Sequence, residues 1–198
     1  MKKDYKITKL NTLESDFRHQ AVHLFVEGFY DMIKSISADK EVLFQLFEPA
    51  LRNDMAYVCL DGEKVVGLLA YSDNKRRAFD IERSGVSRLF GPVKSRVIKT
   101  QLMFIIGKPA VKRDDEGYID FLATDPACRG QGIATKMINY VAENTGVTSL
   151  SLDVIGDNGN AIRLYRHLGF KTTEIQDNLL LRIAGIRKLL IMKKELYE

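Results

Sequence analysis

The residues best suited to chemistry lie in a glycine-rich run from Asp125 to Ala134, with the sequence DPACRGQGIA. Gly130 and Gly132 carry no side chains, so backbone N–H groups there can approach an anion closely. The apolar spacing after the run predicts a helix, whose first turn adds unpaired donors and a positive dipole end. We call residues 125–134 the phosphate loop, because this pattern predicts a phosphate-binding site.

Two familiar phosphate-binding motifs do not fit this loop. A Walker P-loop ends in Gly-Lys-Ser/Thr, whereas Gly132 is followed by Ile133 and Ala134. The dinucleotide fingerprint needs Gly or Ala three residues after its second glycine, where this chain has Thr135. The residues match Arg/Gln-x-x-Gly-x-Gly/Ala instead, beginning at Arg129.

A second motif follows the loop after a predicted helix and strand. It reads Asn-x-x-Ala-x-x-x-Tyr-x-x-x-Gly-Phe, with Asn158, Ala161, Tyr165, Gly169 and Phe170 at its specified positions. Together and in this order, the two motifs resemble the GNAT superfamily of N-acyltransferases. The resemblance implies an N-acetyltransferase that moves an acetyl group from acetyl-CoA to a primary amine by direct attack in a ternary complex.

The resemblance also implies a binding site for acetyl-CoA. Backbone groups on the strand before the loop would pair with the pantetheine arm, and the phosphate loop would take the pyrophosphate. Asn158 would contact the arm, although Asn158 or Asn160 could also simply cap a helix. The expected cofactor-binding residues are Leu122, Ala123, Thr124, Arg129, Gly130, Gln131, Gly132, Ile133, Ala134 and Asn158.

Tyr165 is the candidate general acid, because the motif tyrosine donates a proton to the leaving sulfur in many members of the superfamily. A phenol with a pKa of about 10 can protonate a thiolate. The alternative is a core aromatic residue, since Tyr165 also belongs to an apolar stripe at helical spacing.

Asp120 is the candidate general base, because members of the superfamily often place an acidic residue on this strand. Strand alternation puts Asp120 on the same face as Tyr118 and Leu122. A surface or structural carboxylate is the alternative interpretation.

Glu27, Tyr30 and Asp31 are candidate substrate-binding residues, since the end of the first helix often lines the acceptor pocket in the superfamily. The acceptor would be a small-molecule or peptide amine. His19, His23 and Glu27 have helical spacing that could hold a metal, but no further ligand signature accompanies them. We therefore expect no metal.

The order of predicted elements agrees with the fold that the resemblance implies. We expect an α/β (α+β) GNAT fold, with a mixed, mostly antiparallel sheet of six or seven strands flanked by helices. Strands 4 and 5 would splay apart to admit the cofactor. The resemblance is strongest over residues 118–170.

Residues 72–116 form an insertion relative to the minimal plan of the superfamily. Its apolar residues keep helical spacing, with Gly91-Pro92 interrupting or starting a helix. From Asn74 to Arg113 there are eleven Lys or Arg residues and two acidic ones. This basic helical segment could pack on the core, cover the acceptor site, attract an acidic group, or contact a membrane or nucleic acid.

Length and composition favour one domain, residues 1–198, with 45% hydrophobic residues and a net charge of +4. No apolar run is long enough to span a membrane, and the first ten residues lack an apolar signal region, so we expect a cytoplasmic protein. Cys59 and Cys128 form no disulfide or zinc pattern. We expect a monomer or homodimer and no nucleic acid partner. The rival to an enzyme is a non-catalytic acyl-CoA-binding sensor or interaction module.

Overall fold

A seven-stranded sheet in the order β1-β2-β3-β4-β5-β7-β6 forms the centre of the molecule. The structure is a computed structural model that describes residues 4–106, 111–178, 182 and 187–197, with the backbone alone at 104–106. The strands are β1 (Lys6–Lys9), β2 (Ala56–Asp61), β3 (Lys64–Ser72), β4 (Glu116–Thr124), β5 (Ser149–Ile155), β6 (Lys171–Gln176) and β7 (Leu189–Glu195). The helices are α1 (Ser15–Ile33), α2 (Lys40–Phe47), α3 (Val86–Ile106), α4 (Ile133–Asn144) and α5 (Gly159–His167).

β4 and β5 run parallel, whereas the other described neighbours in the sheet run antiparallel. The β4–β5 pairing ends at Ile119↔Leu152. Beyond that point β4 continues to Thr124 beside β3, and β5 continues to Ile155 beside β7. The two strands therefore separate towards their C-terminal ends, as predicted. We call the gap between residues 120–124 and 153–155 the splay opening.

α1 and α4 cover opposite faces of the sheet. On one face, the ring centroids of Phe25 and Phe29 from α1 lie 4.9 and 5.0 Å from that of Phe121 in β4. On the other face, a Cβ added to Gly67 of β3 would lie 2.7 Å from the sulfur of Met137 in α4. The glycine at position 67 thus allows α4 to pack directly on β3. This arrangement and the mixed sheet confirm the predicted fold class.

The insertion between β3 and β4 contains a short 3-10 turn, Ile81–Arg83, followed by α3. α3 breaks at Gly91, whose φ of 67° is not helical, just before Pro92. Beyond the break, Ile98 and Leu102 are buried, so α3 packs on the core along one side. The predicted helical content of this segment is confirmed.

Most of the described basic side chains of the insertion lie in ion pairs. Arg77 pairs with Asp120, and Arg113 pairs with Asp115. Four further pairs are Lys75–Asp114, Arg76–Asp54, Arg83–Asp80 and Lys99–Glu82. Lys108 lies outside the described residues. Neighbouring carboxylates therefore offset much of the positive charge counted along the sequence. Within the described part of the chain, no helix is both long and apolar enough to cross a membrane.

Candidate active site

The phosphate loop connects the C-terminal end of β4 to the first residue of α4. Gly130 and Gly132 adopt left-handed φ angles of 75° and 76°, a region that glycine enters at no steric cost. A Cβ added at either glycine would meet no heavy atom within 4 Å. The space in front of the loop is therefore open to a ligand.

The N-terminus of α4 provides unpaired hydrogen-bond donors at this loop. Gly132 is its N-cap residue and has no side chain to accept from the first-turn N–H groups. The first turn also contains no acidic residue. The N–H groups of Ile133 and Ala134 and the positive end of the helix dipole thus favour a bound anion.

Side chains within the loop and from neighbouring segments together hold its conformation. The Asp125 carboxylate accepts a hydrogen bond of 2.9 Å from the Ala127 N–H and pairs with Lys64 at 2.7 Å. The contact with Lys64 lowers the pKa of Asp125. At the other end of the loop, the Tyr5 hydroxyl donates to the Gln131 side chain. Arg129, the motif cation, remains exposed.

The residues expected to bind the pantetheine arm lie on β4 along the splay opening. Leu122, Ala123 and Thr124 pair with β3 on one side. Their other edge lies beyond the end of the β4–β5 pairing. A Cβ on Gly28 of α1 would lie 3.3 Å from the Ala123 Cβ, so Ala123 faces α1. The geometry suits the addition of an extended ligand to this edge.

A β-bulge in β4 changes the predicted orientation of Asp120. Phe121 and Ile119 pair with the adjacent residues Ala70 and Tyr71 of β3, which leaves Asp120 as the extra residue. The bulge interrupts the alternation, so Asp120 lies on the α1 face with Phe121, opposite to Leu122. Our expectation that Asp120 and Leu122 share a face was wrong for this reason.

The Asp120 carboxylate is enclosed and paired. Its side chain is 1% exposed, and it forms an ion pair with Arg77. It also accepts a hydrogen bond from the Ser72 hydroxyl and one of 3.2 Å from the Ala78 N–H. Burial raises the pKa of Asp120, while these three partners oppose that rise by favouring the charged form. The contacts are those of a structural carboxylate, the alternative stated for this residue.

Asp153 is a second carboxylate at the splay opening that sequence reasoning did not select. It follows Leu152, the last residue of β5 that pairs with β4, and it is an exposed residue. Its carboxylate interacts with the Tyr118 hydroxyl. Although the residue reaches solvent, protein atoms crowd the carboxylate, and this burial raises the pKa of Asp153. The alternation of polar and apolar residues identifies Asp153 as a polar residue of β5. Its position at the splay opening follows only from the β4–β5 register.

Tyr165 lies on α5 with its side chain turned into the core. It is 8% exposed, and its ring centroid lies 5.8 Å from that of Phe170. Burial raises the pKa of Tyr165 to about 12.

Asn158 is the N-cap residue of α5. Its side-chain oxygen accepts a hydrogen bond of 3.1 Å from the Ala161 N–H. The capping interpretation of Asn158 is therefore confirmed. Its side-chain N–H groups could still contact a ligand, because capping uses the oxygen alone.

The three residues proposed to bind the acceptor form contacts near the end of α1 and with the segment at the start of α2. Glu27 pairs with Lys40 of α2 at 2.7 Å, and the Tyr30 hydroxyl donates to the Ala38 carbonyl at 2.8 Å. Asp31 is exposed and pairs with Lys34. The contacts of Glu27 and Tyr30 join α1 to the segment at the start of α2.

The side of α1 that faces β4 carries Gly28 and Phe29 instead. At about 100° per residue, Glu27 and Asp31 point away from the sheet. The structure thus does not bring these two carboxylates to the splay opening.

Comparison with known proteins agrees with this geometry. A model of the acetyltransferase (GNAT) family matches residues 18–170. No curated protein matches the chain. Among solved structures, an N-acetyltransferase from Staphylococcus aureus Mu50 is similar, with a TM-score of 0.65, 22% identity, and coverage of 96% of this chain and 100% of that chain.

Two further structures share the fold at lower identity. The ribosomal-protein-S18-alanine N-acetyltransferase from Escherichia coli has a TM-score of 0.55 and 17% identity, and covers 98% of this chain and 96% of its own. A mutant agmatine N-acetyltransferase in its apo form has a TM-score of 0.55 and 15% identity, with 97% and 99% coverage. Identities this low show the fold alone.

We predict that Gly132→Glu weakens binding of acetyl-CoA by about 100-fold, because a carboxylate would occupy the anion site. Gly146→Glu is the matched control, since Gly146 follows the other end of α4 with a similar φ of 72° and open surroundings. Each substitution should cost about 1 kcal/mol of stability through left-handed strain. Calorimetric titration measures the affinity. Equal affinity of the two variants would show that the loop does not bind the cofactor.

Proposed function

The chain belongs to the acetyltransferase (GNAT) family, and on this basis we propose that it transfers an acetyl group from acetyl-CoA to a primary amine. The transfer proceeds by direct attack of the amine on the thioester within a ternary complex. The nitrogen forms a bond to the acetyl carbon, the carbon–sulfur bond breaks, and coenzyme A leaves as a thiol. Acetyl-CoA is thus a co-substrate, and the proposed reaction uses no metal.

One observation carries this proposal: the splay opening lies directly before the phosphate loop on the same strand. A cofactor with an extended arm and a pyrophosphate matches an unpaired strand edge that leads into an anion-binding helix N-terminus. In the proposed complex, Leu122 to Thr124 bind the arm through their backbone, and Arg129 to Ala134 bind the pyrophosphate. Asn158 contacts the arm while it caps α5.

Different groups at the opening carry out different steps of the proposed transfer. A backbone N–H near Leu122 or Ala123 stabilises the oxyanion that forms at the attacked carbonyl. Tyr165 gives its proton to the departing sulfur. Burial favours the protonated phenol, so Tyr165 holds that proton across the ordinary pH range.

Two carboxylates are candidates for the base that takes the proton from the amine. Asp120 was the sequence-based candidate, but its contacts with Arg77, Ser72 and Ala78 occupy it. Asp153 is exposed at the same end of the opening, and crowding raises its pKa towards the range useful to a base. We place Asp153 in this role and keep Asp120 as the competitor.

The acceptor is an amine on a small molecule or a peptide. The names of two structures with this fold specify an alanine of ribosomal protein S18 and agmatine, which represent these two classes. The free cysteines Cys59 and Cys128 suit the reducing cytoplasm, where we propose the reaction takes place. A monomer or homodimer would suffice.

The direct test combines calorimetric titration with acetyl-CoA and an assay of thiol release. The assay panel should contain agmatine, spermidine, free amino acids and peptides with free N-termini or lysines. We expect binding, followed by thiol release that depends on the amine. Absence of acetyl-CoA binding would refute the proposal, while binding without release from any amine would favour the non-catalytic sensor.

We predict that Tyr165→Phe lowers kcat by about 100-fold and leaves the affinity for acetyl-CoA unchanged, because the hydroxyl acts on the leaving group alone. Tyr197→Phe is the control, since Tyr197 is 67% exposed and far along the chain from the site. Because a pKa of about 12 keeps the phenol protonated, the wild-type rate should not fall between pH 8 and pH 10 through loss of this proton. Equal kcat values for wild type and Tyr165→Phe would return Tyr165 to a packing role.

Paired substitutions distinguish the two candidate bases. We predict that Asp153→Asn lowers kcat by about 100-fold or more and removes the decline of the rate at low pH. Asp120→Asn should leave that decline in place but lower the free energy of unfolding by about 3 kcal/mol, because it leaves Arg77 without its buried carboxylate. Rate profiles against pH and urea unfolding provide the measurements. The reverse pattern would assign the base to Asp120.

A further inference from the structure

Arg77 enters the site from the insertion that follows β3. The Ala78 N–H donates to the Ser72 hydroxyl at 2.9 Å, which fixes the chain next to Arg77 at the end of β3. The Arg77 side chain is 12% exposed and forms an ion pair with Asp120. Its guanidinium carbon lies 5.1 Å from the ring centroid of Tyr118, a cation–π distance.

Asp120 and Asp153 occupy equivalent places at the start of the splay opening. Each is the first residue after the final β4–β5 pair, Ile119↔Leu152. Arg77 interacts electrostatically with both carboxylates. The Arg77 guanidinium of the insertion thus stabilises the charged form of two carboxylates, one on each of the two separating strands.

We propose that Arg77 is a positioning residue of the transfer site, which holds Asp120 and Asp153 at the start of the opening and keeps both carboxylates anionic. This inference rests on the proposed function. It gives the insertion a specific task, since the residues that carry Arg77 lie outside the motifs of the family resemblance.

The groups that face each carboxylate define its electrostatics. Asp153 is faced by the Tyr118 hydroxyl from β4, by Arg77 from the insertion and by Glu174 from β6. Tyr118 and Arg77 favour the carboxylate, whereas Glu174 and burial oppose it. Burial also raises the pKa of Tyr118, so its hydroxyl remains a donor at working pH.

Around Asp120 the favourable partners are Arg77, the Ser72 hydroxyl and the Ala78 N–H, all from the end of β3 and the insertion. Burial is the opposing influence. When they are ionised, the two aspartates and Glu174 outnumber the single Arg77 guanidinium, so the opening then carries net negative charge. An ammonium acceptor is attracted to this charge, and an exposed Asp153 can take its proton.

The contacts of Arg77 determine the direction in which its loss changes the pKa of Asp153. A nearby cation lowers the pKa of a carboxyl group, so loss of the Arg77 charge raises the pKa of Asp153. Asp153 then becomes a carboxylate only at higher pH. The low-pH decline of the transfer rate must shift upward in the same direction.

The test compares Arg77→Met with Arg76→Met. Arg76 is the adjacent residue, pairs with Asp54 and is not part of the cluster, so it controls for loss of a cation from the same loop. Carbon-13 NMR of labelled aspartate carboxyls measures the titration of Asp153 directly, without an acceptor. We expect the Asp153 midpoint to rise by about one pH unit in Arg77→Met, a tenfold change in proton affinity, and to stay unchanged in Arg76→Met.

A second pair of variants covers the case in which Arg77→Met does not fold. Arg77→Met combined with Asp120→Asn removes the buried pair together and leaves no uncompensated charge. Asp153 should again titrate at higher pH than in Asp120→Asn alone. Arg77→Lys keeps the positive charge, so Asp153 should titrate at a lower pH than in Arg77→Met, although lysine lacks the planar guanidinium group with its several N–H donors.

An Asp153 midpoint that is the same with and without the Arg77 charge overturns the inference, whatever the enzymatic activity. If the midpoint rises while the low-pH decline of thiol release stays in place, Arg77 does not position the base, and the inference also fails. Failure of the proposed function looks different: wild type would release no thiol with any amine, although the carboxyl titrations still respond to Arg77.

Discussion

The early end of the β4–β5 pairing is the constraint on which the rest of this structure depends. Parallel strands that separate leave backbone N–H and C=O groups on their inner edges without strand partners, and such groups need another partner in a folded protein. β4 keeps its pairing with β3 through Thr124, so its geometry is maintained without β5. The edge of β4 that faces the opening therefore keeps its extended strand geometry, which suits the addition of an extended ligand.

The surrounding elements make this opening asymmetric. α4 packs closely on one face, where Gly67 leaves no room for a side chain, and its N-terminus lies beside the end of β4. On the opposite face, α1 contributes aromatic rings against Phe121. The bulge at Asp120 turns the carboxylate to the α1 face. The α4 helix and the Asp120 carboxylate thus lie on different faces of the sheet.

Sequence patterns predicted the parts of this site that depend on local residues. The phosphate loop requires glycines at positions 130 and 132, and their left-handed φ angles account for that choice. The splay followed from the resemblance. The bulge, the location of Asp153 and the contacts of Glu27 were not predictable in the same way, because they depend on strand register and on packing between α1 and α2.

The charge of the insertion shows most clearly why local sequence patterns could not predict the surface of the folded protein. The basic residues between Asn74 and Arg113 suggest a positive surface when they are counted along the chain. Folding places carboxylates from distant segments beside many of them, including Asp54 and Asp120. The electrostatic potential at the surface depends on those ion pairs. The number of basic residues alone therefore gives no support to a nucleic acid partner. Burial further distinguishes Arg77, since a guanidinium enclosed with a carboxylate is screened less by salt than the exposed pairs around it.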